Sequence, residues 1–219
     1  MKKKNKQLDL VKVENFMQYD GEVETKGNTF QKLMFIYKMG IRELETKLDI
    51  IKDEFKIFYD CDLIDHISTR IKSPESIINK MKKKKCELTY KEMIEYINDI
   101  AGIRVITPLK KDIYTVRNLI EQIPGLNVLK EKDYIVKPKE SGYSSYHMIV
   151  EVPVTLSKQV IYVKVEIQIR TMAMDFWASL EHKMKYKSKE KVSNKVSKDL
   201  VSYAKIVSKL DNKMMLLNE

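Results

Sequence analysis

Apolar residues recur every third or fourth position from about 30 to 58: Leu33, Ile36, Tyr37, Ile41, Leu44, Leu48, Ile51, Phe55 and Phe58. That period predicts one long amphipathic helix. The pattern turns to alternation at LIDHISTRIK (63–72), which reads as a strand. Ser73 then offers an N-cap, and Pro74 a first-turn residue, for a helix through SPESIINKMKKKK. A short helix around 89–98 leads into DIAGIRVI, a strand at 100–107. A helix at 110–122 stops at Pro124-Gly125. Strands follow near 126–134 and at YHMIVEVPV (146–154), with the loop KPKESGYSS between them. The stretch IYVKVEIQIR alternates strictly, with Ile161, Val163, Val165, Ile167 and Ile169 on one face of a strand at 160–170. Residues 171–187 read as a helix. So do 192–217, with Val196, Leu200, Ala204, Val207, Leu210, Met214 and Leu217 on one side. Residues 1–26 are charged and mixed, and predict a short helix or a frayed arm.

This order predicts an α+β fold: a mixed, mainly antiparallel five-stranded sheet flanked by helices, with long helices at both ends. It divides the chain into a helical region at 1–62, a central unit at 63–187 and an amphipathic helix at 188–219. The 219 residues are ample for one domain and short for two. A net charge of +10 favours anionic partners such as nucleotides, nucleic acid or an acidic surface. Cys61 and Cys86 form no disulfide framework or zinc motif, which suits a reducing cytoplasm. No apolar run reaches the roughly 20 residues that span a bilayer, so a soluble protein without membrane contact is expected.

Three of the strands carry polar groups that could share a face. Arg70 and Lys72 point one way, Arg104 interrupts IAGIRVI, and Glu166 and Gln168 point one way. If these faces coincide, cations surround a carboxylate, a combination suited to a polyphosphate with a divalent metal. Ser76, Lys80 and Lys83 lie on one side of the following helix, whose N-terminus offers free N–H groups. Asp99, just before the second of these strands, is a candidate second carboxylate. The loop KPKESGYSSYH gathers Lys137, Lys139, Tyr143 and His147, with Gly142 permitting a sharp turn. Taken singly, each feature has a plainer explanation as a solvated strand face, a helix cap or a packed ring.

Together RIKSPESI, DIAGIRVI, KPKESGYSSYH, VEIQIRT and MDFWASLEHKMKYK, in this order over 63–187, resemble the synthetase domain of the Rel/Spo alarmone enzymes, and the chain looks like a stand-alone small alarmone synthetase. The resemblance implies a nucleotidyltransferase-like fold and the transfer of pyrophosphate from ATP to the 3′-hydroxyl of GDP or GTP, with GMP a further acceptor. It implies that Arg70 and Arg104 sandwich adenine, and that Lys72, Ser73, Ser76, Lys80 and Lys83 serve the ATP phosphates. Asp99 would hold Mg²⁺, and Glu166 would hold the metal or activate the 3′-hydroxyl. Lys137, Lys139, Tyr143, Ser145, His147, Gln168 and Glu181 would attend the guanine nucleotide. It also implies a homotetramer. In tetrameric members an effector cleft involves positions occupied here by His66, Ser68 and Asp175; an Asp there would repel phosphate. No His is followed by Asp, so no alarmone hydrolysis is expected. The alternatives are an RNA-binding module using the basic surface, with weak single-stranded RNA binding compatible with either reading, and another nucleotidyltransferase. The latter would show a close acidic pair near a Gly-Ser turn, which the sequence lacks.

Overall fold

A computed structural model of the chain describes residues 9–13, 23–24, 27–187 and 194–217. The first strand β1 (Asp9–Lys12) precedes a long helix α1 (Asn28–Tyr59), then β2 (His66–Ile71), α2 (Pro74–Lys84), α3 (Tyr90–Tyr96) and β3 (Ala101–Thr107). After these come α4 (Lys110–Glu121), β4 (Asn127–Asp133), β5 (Tyr146–Thr155), β6 (Gln159–Thr171), α5 (Met172–Lys187) and α6 (Asn194–Leu216).

The sheet runs β2-β3-β6-β5-β4, with β1 added on β6. β3 and β1 lie parallel to β6, and the β2–β3, β5–β6 and β4–β5 pairs are antiparallel. The predicted five-stranded, mainly antiparallel sheet is therefore present, with a sixth strand that the arm at the N-terminus supplies. Its reason lies in β6, which is 13 residues long. β3 pairs with β6 only from Val165 onward, and β1 takes the edge beside Gln159–Tyr162. An unpaired edge recruits a strand that four mixed residues could not announce by periodicity. The rest of the expected N-terminal helix or arm, apart from residues 13, 23 and 24, lies outside the described residues.

Strand alternation divides the sheet. Ile161, Val163, Val165, Ile167 and Ile169 are fully buried. They share one core with Leu33, Ile36, Tyr37, Ile41, Leu44 and Leu48 of α1 and with Ile113, Val116 and Ile120 of α4. The long helix and the sheet thus fold as parts of one core. α1 passes so close to β6 that a Cβ on Gly40 would stand 2.3 Å from Val163 Cγ1. The helix stays on the core through Leu48, with Ile51 and Phe55 at its border, and beyond them Phe58 is exposed. α1 stops at Asp60, whose left-handed backbone lets its N–H cap Phe55 O.

At the other end, Trp177, Ala178 and Leu200 form a smaller cluster with Tyr143, Val196, Ala204 and Val207. Trp177 Nε1 donates to Leu200 O at 3.0 Å, and Thr171 Oγ1 donates to buried Asp211 at 2.9 Å. The apolar side expected along the whole of this last helix packs as far as Val207. Leu210, Met214 and Leu217 stand exposed, with no described element over them. No helix among the described residues is long and apolar enough to cross a membrane.

The close approach at Gly40 makes a direct test. Gly40→Leu should cost about 1–3 kcal/mol by overpacking against β6. It should appear as a lower urea midpoint with an unchanged slope. An unchanged midpoint would mean that α1 does not lie on Val163 as described.

Candidate active site

The opposite face of the sheet carries the charge. Register fixes which residues share it. One row runs Ser68, Arg104, Gln168, His147 and Lys132; the next runs Arg70, Gly102, Glu166, Ile149 and Lys130. Arg70, Arg104, Glu166 and Gln168 therefore do come together, in a hollow floored by Gly102. Gly102 matters because it sits between Arg70 and Glu166. A Cβ there would touch the Arg70 side chain at 3.5 Å and shrink the hollow.

Glu166 lies where that hollow meets a second one of about 270 Å³, whose walls include Lys80, Asp99, Lys139, His147 and Tyr134. Arg70, Arg104 and Gln168 also open onto a third space of about 400 Å³, together with Tyr143, Arg170 and Glu181. The result is a continuous polar trough with Glu166 and Gln168 at its waist.

α2 and the start of β3 build the cationic end. Ser73 caps α2: its Oγ accepts from Ser76 N at 3.3 Å and donates to Ser76 Oγ at 2.8 Å. The helix then carries Lys80 back to Asp99. Lys80 Nζ and Lys72 Nζ both approach Asp99 Oδ2, at 2.7 and 2.9 Å. Burial pushes the Asp99 carboxyl up, but the two lysines outweigh it and hold it below the usual carboxylate range. Asp99 Oδ1 is buried without a hydrogen-bond partner. Glu166 is near enough for its titration to feel the Asp99 charge. A buried orphan carboxylate oxygen beside a second carboxylate is a hard-oxygen donor set, which suits a divalent ion that keeps water and phosphate oxygens as its other ligands.

Burial also pushes Glu166 up, and His147 and Gln168 more than offset it, so the carboxyl lies below its ordinary value and is ionised at neutral pH. Gln168 Nε2 donates to Glu166 Oε2 at 2.7 Å, and His147 Nδ1 lies 3.6 Å from Glu166 Oε1. Tyr143 Oη meets His147 Nε2 at 2.8 Å. The Tyr143 loop is held from behind: Gly142 has φ +86°, and a Cβ there would stand 2.5 Å from Ala204 Cβ of α6. The glycine thus serves the turn, as the sequence suggests, and also a helix contact that the sequence does not reveal. Lys139 Nζ sits 4.6 Å from the Tyr143 ring centre and 4.7 Å from that of Tyr134.

Other expected site residues fare differently. Lys83 and Lys137 are exposed and line none of these three hollows. Ser145 is fully buried, and its hydroxyl donates to Ile169 O at 3.2 Å. That hydroxyl ties the loop to β6 and is not presented to a nucleotide, so its expected guanine contact is replaced by a structural one. Asp175 receives Arg170 Nη1 at 2.9 Å, so its charge is already engaged.

Several residues in the trough escape the sequence pattern. Lys130 and Lys132 reach it because of a bulge between Val128 and Lys130. The extra residue reverses the alternation, so both lysines lie on the face of His147 and Glu166. Tyr134 and Lys84 enter from a strand end and a helix end, and Lys84 Nζ donates to Tyr96 O at 2.7 Å. Arg170 is only 4% exposed, although its place on the polar side of β6 was visible.

The Asp99 cluster carries a pH signature. Asp99→Asn strands two half-buried ammonium groups and should cost about 1–3 kcal/mol at neutral pH. A carboxylate whose folded value is depressed stabilises fully above its unfolded value, about 3.9, and loses this as pH falls through the folded value. In urea denaturation the gap between wild type and Asp99→Asn should hold from pH 7 to 5 and close as acid is added below about 3.9. A gap independent of pH would contradict the Lys72–Asp99–Lys80 pairing.

Residues 69–191 match the family model described as the region found in RelA / SpoT proteins. The GTP pyrophosphokinase YwaC of Bacillus subtilis is 45% identical over 194 residues, covering 89% of this chain and 92% of that protein. The GTP pyrophosphokinase YjbM of the same organism is 34% identical, over 84% of this chain and 86% of that one. Among solved structures, B. subtilis small alarmone synthetase 1 bound to its product pppGpp superposes with a TM-score of 0.81 and 33% identity, over 88% of this chain and 97% of that one. B. subtilis small alarmone synthetase 2 gives 0.79 and 43%, over 87% and 98%. With these likenesses over nearly its whole length, the chain belongs to the RelA/SpoT family and, within it, to the small alarmone synthetases.

Proposed function

We propose that the chain is a (p)ppGpp synthetase that moves the pyrophosphoryl group of ATP to the 3′-hydroxyl of GDP or GTP and releases AMP. One observation carries the reading: an ionised, largely buried Glu166 stands at the waist of a trough whose two ends are cationic. Relatives named for this chemistry, and one with pppGpp bound, support it.

In this reading the guanidinium planes of Arg70 and Arg104 grip adenine, a stacking role that lysine cannot fill. The triphosphate lies toward α2, with Lys72 and Lys80 on its oxygens and Ser73 and Ser76 at the helix start; Lys83 adds charge at the rim. Lys72 and Lys80 pair with Asp99, so phosphate binding would share these cations between the carboxylate and the ligand. Asp99, through its orphan oxygen, and Glu166 would hold Mg²⁺, which would screen the phosphate charge that repels an incoming hydroxyl. The guanine nucleotide lies toward Tyr143, Lys139, His147, Gln168 and Glu181, with Lys137 at the edge. The acceptor 3′-oxygen attacks the β-phosphorus, its proton passes to Glu166, and the bond to the α-phosphate oxygen breaks to leave AMP.

Residues 63–187 hold every group in this scheme, and 1–62 and 188–219 act as flanks. The exposed apolar residues Tyr203, Ile206 and Leu210 of α6 suit a subunit contact, consistent with a homotetramer. The basic exterior would add weak, salt-sensitive binding of single-stranded RNA. RNA binding as the main role fits less well, because two carboxylates sit inside the cationic trough.

Wild type incubated with ATP, Mg²⁺ and GMP, GDP or GTP should give AMP and the matching 3′-pyrophosphorylated nucleotide on chromatography. Glu166→Gln should lower kcat about 10²–10⁴-fold with the urea midpoint little changed. It is a cleaner probe than Asp99→Asn, which also strands two lysines. A loss of less than tenfold would remove Glu166 from the reaction.

A further inference from the structure

Five side chains close a ring on the acceptor side of the trough. Arg170 Nη2 donates to Tyr143 Oη at 2.6 Å and to Gln168 Oε1 at 2.6 Å. Gln168 passes a hydrogen bond to Glu166, His147 faces Glu166, and Tyr143 closes the circuit at His147. The two ends of this circuit have opposite and invariant character. A guanidinium can only donate, and an ionised carboxylate can only accept.

That asymmetry directs the hydrogens between them. Glu166 can only accept, so the His147 Nδ1 that faces it at 3.6 Å carries the ring proton. A neutral ring then accepts at Nε2, and the Tyr143 hydroxyl, which accepts from Arg170 Nη2, donates there. Gln168 offers its carbonyl to Arg170 and its amide to Glu166, and a flipped amide would set donor against donor and acceptor against acceptor.

We infer that Arg170 is a positioning residue for the acceptor nucleotide: through Tyr143 and Gln168 it holds the guanine-side ring and the reactive carboxylate in one fixed orientation. The inference rests on the synthetase reading for the word acceptor, but not for the ring itself. Asp175 anchors the guanidinium from the helix side at 2.9 Å. Arg170 Nε remains buried without a hydrogen-bond partner, so the fork is held by what its two Nη atoms do. The Arg170 guanidinium also lies 5.1 Å from the Tyr143 ring centre, which fixes the ring as well as its hydroxyl. A lysine could keep the charge but could not reach Asp175, Tyr143 and Gln168 from one planar fork.

Three measurements test this. The first is the tautomer of His147, read from ¹⁵N NMR of the ligand-free protein at a pH where the ring is neutral. Wild type should be protonated on Nδ1, and Arg170→Gln should mix the two tautomers. A wild-type ring protonated on Nε2, or an unchanged tautomer in the variant, would overturn the inference. The second is calorimetric binding of GDP and of a non-hydrolysable ATP analogue to wild type, Arg170→Gln, Tyr143→Phe and the double variant. Each single change should weaken GDP about tenfold, with the double no weaker than the worse single. The ATP analogue should stay within about twofold. Additive losses, or equal losses of both ligands, would mean that Arg170 acts elsewhere.

The third is turnover. Arg170→Lys should lower kcat about 10²-fold and raise the acceptor KM while leaving the ATP KM alone. Wild-type behaviour in Arg170→Lys would show that charge alone suffices and contradict the role of the fork. If Arg170→Gln does not fold, the same three readings on Arg170→Lys decide the matter. A wild type that binds GDP without making product would refute the synthetase reading, while the tautomer and the binding cycle still judge Arg170.

Discussion

A carboxylate kept ionised while largely buried needs compensation close at hand, and Glu166 obtains it from His147 and Gln168. Burial alone pushes its pKa up. His147 and Gln168 reverse that tendency, and the nearby Asp99 charge works against them. The sheet exists in a form that makes this possible. From Ile161 to Ile169 one face of β6 is apolar and packed in the core with α1, so the other face, with Glu166 near its centre, cannot slip in register without burying charge. Precision at the site is therefore a by-product of the core beneath it.

The charged groups of the site pair with one another. Lys72 and Lys80 share one oxygen of Asp99, and Arg170 is engaged by Asp175, Tyr143 and Gln168. Arg104, by contrast, feels burial first and then the like charges of Arg170 and Arg70. Cations crowded around an open space are poised for an anion or a π-face. Binding energy comes from the surplus of new contacts over those they replace. Lysines already held by Asp99 lose less freedom on meeting an anion than free ones.

Much of this was legible in the sequence. The alternation of residues 161–170 announced a two-faced strand, and the helical period of 30–58 its cover. Arg70, Arg104, Glu166 and Gln168 could be expected on one face once their strands were paired. What escaped depends on interactions that are not local. β1 exists because β6 has a free edge. Lys130 and Lys132 reach the site only because a bulge reverses β4, so a strict period of two sends them to the wrong side. Ser145 looked like a loop hydroxyl, but the end of β6 claims it. The alternation of 161–170 puts Arg170 on the polar face, but its hub role depends on Tyr143 and Asp175, which lie far along the chain or across a turn.

The central claim is that one carboxylate stands between two nucleotides at the point of reaction. A crystal structure of the wild-type chain with Mg²⁺, a non-hydrolysable ATP analogue and GDP tests it most directly. The account predicts the GDP 3′-oxygen about 3 Å from a Glu166 oxygen and in line with the β-phosphorus of the analogue. Nucleotides bound on separate surfaces, or a 3′-oxygen facing away from Glu166, would contradict it.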